Sequence, residues 1–107
     1  MTDARIILTT AANREEADKI ANSLVKAELA ACVNIVGPIT SVYRWKGKVE
    51  TSSEFMLLIK TTEDAFHQVK EAVLAIHSYE LPEFIELGIA RGEGKYLSWI
   101  EKSVHYE

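Results

Sequence analysis

The sequence predicts an α+β sandwich, two helices laid on one face of a four-stranded antiparallel sheet. Three observations carry that expectation: β-branched extended runs, amphipathic stripes of helical period between them, and one tight turn joining two long extended segments. The 107 residues fit a single domain over 1–107, large enough to bury roughly two thirds of its unfolded surface.

ARIILTT (4–10) is short and β-branched, a strand. Asn13 then stands where an N-cap belongs, with Glu16 three residues on, a variant of the capping box. Ala17, Ile20, Ala21, Leu24 and Val25 recur on one side of a helix running to about Ala30. VNIVGPITSVYRW (33–45) is extended, and its Gly37–Pro38 pair predicts a bend or bulge, since proline has no N–H for a ladder. A turn centred near Lys46–Gly47 leads into the return strand VETSSEFMLLIK (49–60).

Thr61 or Thr62 is expected to cap the second helix, with Phe66, Val69, Val73 and Ile76 as its buried stripe and Leu81–Pro82 as its end. FIELGIARG (84–92) alternates as a strand, with Ile85, Leu87 and Ile89 on one face. KYLSWIEKSV (95–104) reads as a short final helix. The resulting order is a β-α-β-β-α-β, ferredoxin-like sandwich with a long central hairpin and a short C-terminal helix.

One feature of that sandwich points beyond a single chain. The return strand is apolar on both sides, with Phe55, Leu57 and Ile59 against Met56 and Leu58. One side meets the helices. A large apolar side chain left wet on the other forgoes roughly 1.5–3 kcal/mol. Either the final helix covers that face, or copies of the chain do, and the projecting hairpin offers unpaired edges for the second arrangement. Self-association is the expected outcome.

Composition narrows the function. The formal net charge is −4 and basic residues are scattered singly, which gives no footprint for nucleic acid. No apolar run approaches a bilayer's thickness, and the N-terminus has no signal-peptide layout. The single cysteine, Cys32, has no intramolecular disulfide partner and reads as a small buried hydrophobe. A cytosolic protein is the expectation.

IHSYELPE (76–83) concentrates the chain's candidate chemistry. A neutral His77 imidazole suits copper or zinc, whereas a charged one would complement the end of its helix. Nearby companions are Glu80 and Glu83, while His67 lies roughly 15 Å upstream on the same helix, too far to share an ion. Glu50 and Glu54 share one side of the return strand some 13–14 Å apart, too far for a paired-carboxylate reaction within one chain. With Tyr43, Lys60 and Glu83 they are candidates to line a cleft between subunits. No Ser-His-Asp or Cys-His set is visible, so an enzyme is not expected.

Five pieces of the chain, ACVNI (31–35), SVYRWKGKVE (41–50), EFMLLIKT (54–61), HSYELPE (77–83) and GKYLSWI (94–100), resemble the CutA family of divalent-cation tolerance proteins in order and spacing. The resemblance implies a ferredoxin-like protomer similar to the PII signalling proteins, a homotrimer built through the hairpins, and a cytosolic place. It also implies a response to metal ions such as copper, and no established catalytic activity. In some relatives copper is linked to a cysteine near the end of the first strand and to two adjacent histidines. Here Thr9 or Thr10 stands for the cysteine, Ile76 for the first histidine, and only His77 remains. The expectation is a trimeric, non-catalytic binding protein with weak affinity for copper or zinc. The alternative is a PII-like sensor that takes a small anionic metabolite in its intersubunit clefts.

Overall fold

The computed structural model describes residues 2–105. Its elements are β1 (Ala4–Ala11), α1 (Arg14–Lys26), β2 (Cys32–Trp45), β3 (Lys48–Thr62), α2 (Phe66–Ile76), β4 (Ile85–Gly88) and α3 (Gly94–Ser103), with a 3-10 turn at Glu63–Ala65. The strands form one antiparallel sheet in the order β2-β3-β1-β4. This is the ferredoxin-like order expected from the sequence, and both edges, β2 and β4, are free within the chain.

Register shows how the sheet divides. Ile7 stands opposite Ile59 and Thr9 opposite Leu57, and these side chains face α1 and α2. There they join Ile20, Leu24, Val69 and Val73 in one fully buried core. Ile6, Leu8, Met56 and Leu58 alternate to the other face and are only half buried. α3 packs chiefly against β3 and β1 and buries Ile100. The C-terminal helix therefore covers part of the second face. Val36, Ile85 and Leu87 remain 49%, 48% and 43% exposed.

Local chemistry explains most element ends. Asn13 Oδ1 accepts from the Glu16 amide at 2.8 Å, as an N-cap should. The hairpin turns through Lys46 and Gly47, both at positive φ, the conformation that suits the right-handed twist of the flanking strands. β2 carries the expected bulge: Val36 pairs with Met56, but Ile39 pairs with Glu54. A Cβ on Gly37 would lie 2.6 Å from the Phe55 ring, so only glycine fits there.

Several boundaries differ from expectation. α1 stops at Lys26, and Glu28 takes positive φ so that the Leu29 and Ala30 amides reach back to the Leu24 carbonyl. Neither Thr61 nor Thr62 caps α2. The strand continues through both, and the Thr61 hydroxyl donates to the Leu29 carbonyl at 2.7 Å instead. α2 ends at Ile76, well before Leu81–Pro82, and β4 keeps only Ile85–Gly88 of the run expected at 84–92.

Candidate functional site

The segment after α2 is strung along the end of the sheet and held at three points. His77 closes the helix, its amide donating to the Val73 carbonyl, and its Nε2 lies 2.6 Å from the Thr10 carbonyl of β1. Tyr79 OH donates to Glu54 Oε2 of β3 at 2.7 Å. Thr9 Oγ1 donates to the Glu83 carbonyl at 2.6 Å. The loop has no regular structure between Ile76 and Ile85, so these bonds, with the Phe84 ring packed against the core, give it a fixed course.

Between this loop and the hairpin stem lies an open cleft of about 850 Å³. Glu54 and Tyr79 meet in its wall, with Thr10, Ser41, Tyr43 and Trp45 around them. Its charged side chains are Arg44 against Glu54, Glu80 and Glu83. The cleft is acidic.

Glu54 is 7% exposed yet stays ionised readily. Burial alone would raise its carboxyl, but hydrogen bonds from Ser41, Tyr79 and Thr10, with the charge of His77 when protonated, hold it below the ordinary carboxylate range. Tyr79 moves the other way: burial and its bond to the Glu54 carboxylate push the phenol well above its usual value. The pair thus behaves as a neutral donor locked on a charged acceptor, not as an acid and base poised to exchange a proton near neutrality.

The expected cleft residues separate on this frame. Tyr43, Glu54 and Glu83 line it. Glu50 pairs with Tyr43 farther out on the hairpin and is exposed. Lys60 is not brought there within one chain: it pairs with Cys32 at the opposite end of β3, and its ammonium donates to the Asn34 side chain. At about 3.4 Å per residue, the six residues from Glu54 to Lys60 span roughly 20 Å.

His77 is buried, its side chain 1% exposed. Besides the Thr10 carbonyl on Nε2, its Nδ1 accepts from the Tyr79 amide at 3.2 Å. Both ring nitrogens are engaged, which leaves no lone pair for an ion. Among the described residues no three His, Cys, Asp or Glu side chains come together as a ligand set. The described residues of one chain therefore offer no complete set for a divalent ion. The position compared with a copper-ligating cysteine in relatives is also structural here, since Thr9 is fully buried and pins Glu83.

Two participants lay outside the sequence reading. Glu16 Oε1 comes within 3.6 Å of His77 Nδ1, instead of folding back on its own cap. Ser41 reaches Glu54 because the bulge sets both on one face. No local signal marks the first; the Gly37–Pro38 pair hints at the second.

The comparisons with known proteins agree with this architecture. The family described as CutA1 divalent ion tolerance protein matches residues 5–103. The chain is 47% identical over 98 residues to the divalent-cation tolerance protein CutA of Thermus thermophilus, covering 92% of this chain and 95% of that one. It is 48% identical to the chloroplastic CutA protein of Arabidopsis thaliana, of which it spans only 54%. The solved Cut A1 structure from Thermus thermophilus superposes with a TM-score of 0.93 at 45% identity, over 95% of this chain and 99% of that chain. A structure described as the periplasmic divalent cation tolerance protein CutA of Archaeoglobus fulgidus superposes at 0.91 with 41% identity, over 95% and 99%. Among the described residues no helix is long and apolar enough to cross a membrane. With the family model matched over residues 5–103 and solved relatives superposing along nearly the whole chain, the chain belongs to the CutA1 divalent ion tolerance family.

Proposed function

We propose that this protein is a non-catalytic, cytoplasmic, homotrimeric binding protein that takes divalent cations such as copper or zinc weakly in clefts shared between subunits. The observation that carries this reading is the acidic cleft, where Glu54, Glu80 and Glu83 outnumber the single Arg44 and Glu54 is kept ionised. Cleft carboxylates, with groups from a neighbouring copy, supply what one chain lacks. Carboxylate oxygen is a poor match to copper and zinc compared with imidazole or thiolate, which accords with weak binding. Support for assembly comes from the two free sheet edges and the exposed Val36, Ile85 and Leu87 beside them.

Calorimetry at neutral pH with Cu(II) and Zn(II) tests the site. Glu83→Gln is expected to weaken binding severalfold and His77→Ala, where it folds, to leave the isotherm unchanged. An isotherm lost only in His77→Ala would move the ion to the imidazole and overturn the cleft reading. Nucleotide heat without metal heat would turn the protein into a sensor of anionic metabolites. Sedimentation should give three times the 12.0 kDa chain mass, and a monomer at micromolar concentration would sink the shared cleft.

A further inference from the structure

The two partners of the His77 ring fix where its proton sits. A carbonyl only accepts, so Nε2 carries hydrogen toward Thr10; an amide only donates, so Nδ1 turns a lone pair toward Tyr79. The ring in this arrangement is neutral. Yet Nδ1 also stands 3.6 Å from Glu16 Oε1, a buried oxygen with no hydrogen-bond partner. Interiors rarely leave such an acceptor orphaned, because it has lost water and gained nothing. The ring is thus wired for one protonation state and carries a waiting acceptor for the other.

We propose that His77 and Glu16 form a proton-operated latch that sets the position of Tyr79 over the cleft. When Nδ1 takes up a proton from solvent, its lone pair is consumed and the Tyr79 N–H loses its acceptor. The new N–H donates to Glu16 Oε1 as a charge-assisted bond, after a closure of less than an ångström. Two N–H groups cannot face each other, so the Tyr79 backbone moves off. Its ring, 4.8 Å from the imidazole, and its hydroxyl on Glu54 go with it. The cleft then shows a carboxylate that the phenol had capped.

The ionisable groups facing the imidazole are Glu16 from α1, Glu54 from β3 and Tyr79 from its own loop; β1 contributes only the Thr10 carbonyl. Glu16 is the one of these with a free oxygen beside Nδ1. The latch stands whether or not the cleft takes a cation, since its working parts are Glu16, His77 and the Tyr79 backbone.

NMR on the full chain, titrated from about pH 8 to about pH 5 to keep the carboxylates ionised, tests it. Four results are expected. The imidazole nitrogen shifts report a proton on Nε2 alone at the alkaline end. Protection of the Tyr79 amide against hydrogen exchange, corrected for intrinsic rate, falls at least tenfold with the imidazole titration. Glu16→Gln moves that transition to lower pH, because the carboxylate that receives the new bond is gone. His77→Gln, which keeps a donor for Thr10, abolishes the transition. A Tyr79 amide whose protection stays level while the ring titrates in the unmodified protein overturns the latch, as does a Glu16→Gln transition at an unchanged midpoint. Should Glu16→Gln not fold, the first two results in the unmodified protein decide.

Discussion

The two faces of the sheet use similar side chains to different ends. Beneath the helices, Ile7, Leu57 and Ile59 are wholly buried among Ile20, Leu24, Val69 and Val73. On the opposite face Ile6, Leu8, Met56 and Leu58 are only half covered, and Ile85 and Leu87 at its edge remain open. A core that closes within one chain specifies the fold. The opposite face adds less to it, and β4 has every residue exposed.

The sharpest way to test that contrast is truncation on each side. Leu57→Ala should cost about 2–5 kcal/mol in denaturant unfolding, through lost transfer energy and an unfilled cavity. A smaller loss would mean that the helix-covered core collapses easily around the gap. The next largest effect belongs at the cleft: Tyr79→Phe removes a donor to a charged acceptor and should cost about 1.5–3 kcal/mol at neutral pH. This loss should shrink in acid. The Glu54 carboxyl lies lower in the folded chain than in the unfolded one, so its contribution is present above the unfolded value and disappears as pH falls through the folded value. Thermal melts of both proteins between about pH 3 and about pH 7 check the sign; a gap that widens in acid contradicts it.

Thr9→Val should cost about 1 kcal/mol, leaving the Glu83 carbonyl without its donor, and should loosen the loop on limited proteolysis. The smallest effect is expected on the open face. Ile85→Ser should change the stability of the single chain by less than about 0.5 kcal/mol while weakening self-association, read by sedimentation. If it destabilises the chain as much as Leu57→Ala, the two faces are equivalent and the contrast fails.

Legibility in the sequence followed the range of the forces involved. The N-cap at Asn13, the turn at Lys46–Gly47 and the bend at Gly37–Pro38 are decided by neighbours along the chain, and all three were visible there. Thr61 was misread as a helix cap because its hydroxyl has a partner supplied by the fold, Leu29, far away in sequence, and Thr62 still belongs to the strand. The end of α2 escaped for a related reason. Proline marks where a helix cannot continue, but Ile76 is followed by a loop whose course is set by Thr9, Thr10 and Glu54. Of the site, Tyr43 and Glu54 were singled out by their place on the hairpin and Glu83 by its nearness to His77, and all three line the cleft of one chain. Within one chain strand rise keeps Lys60 out of reach of the cleft, and Glu16 was missed because only tertiary packing brings α1 to His77.

The extra residue between Val36 and Ile39 has a consequence for the far half of the hairpin. Side chains on a strand alternate, so one added unit of length turns over everything beyond it. Ser41 and Tyr43 share a side with Glu54 only because of that odd count. Pairing carried on from Val36 without the bulge would keep every residue of the chain, yet set Thr40 and Val42 opposite Ser52 and Glu50, where Ser41 and Tyr43 now stand. The spacing therefore shapes the cleft wall as much as the identity of any amino acid in it.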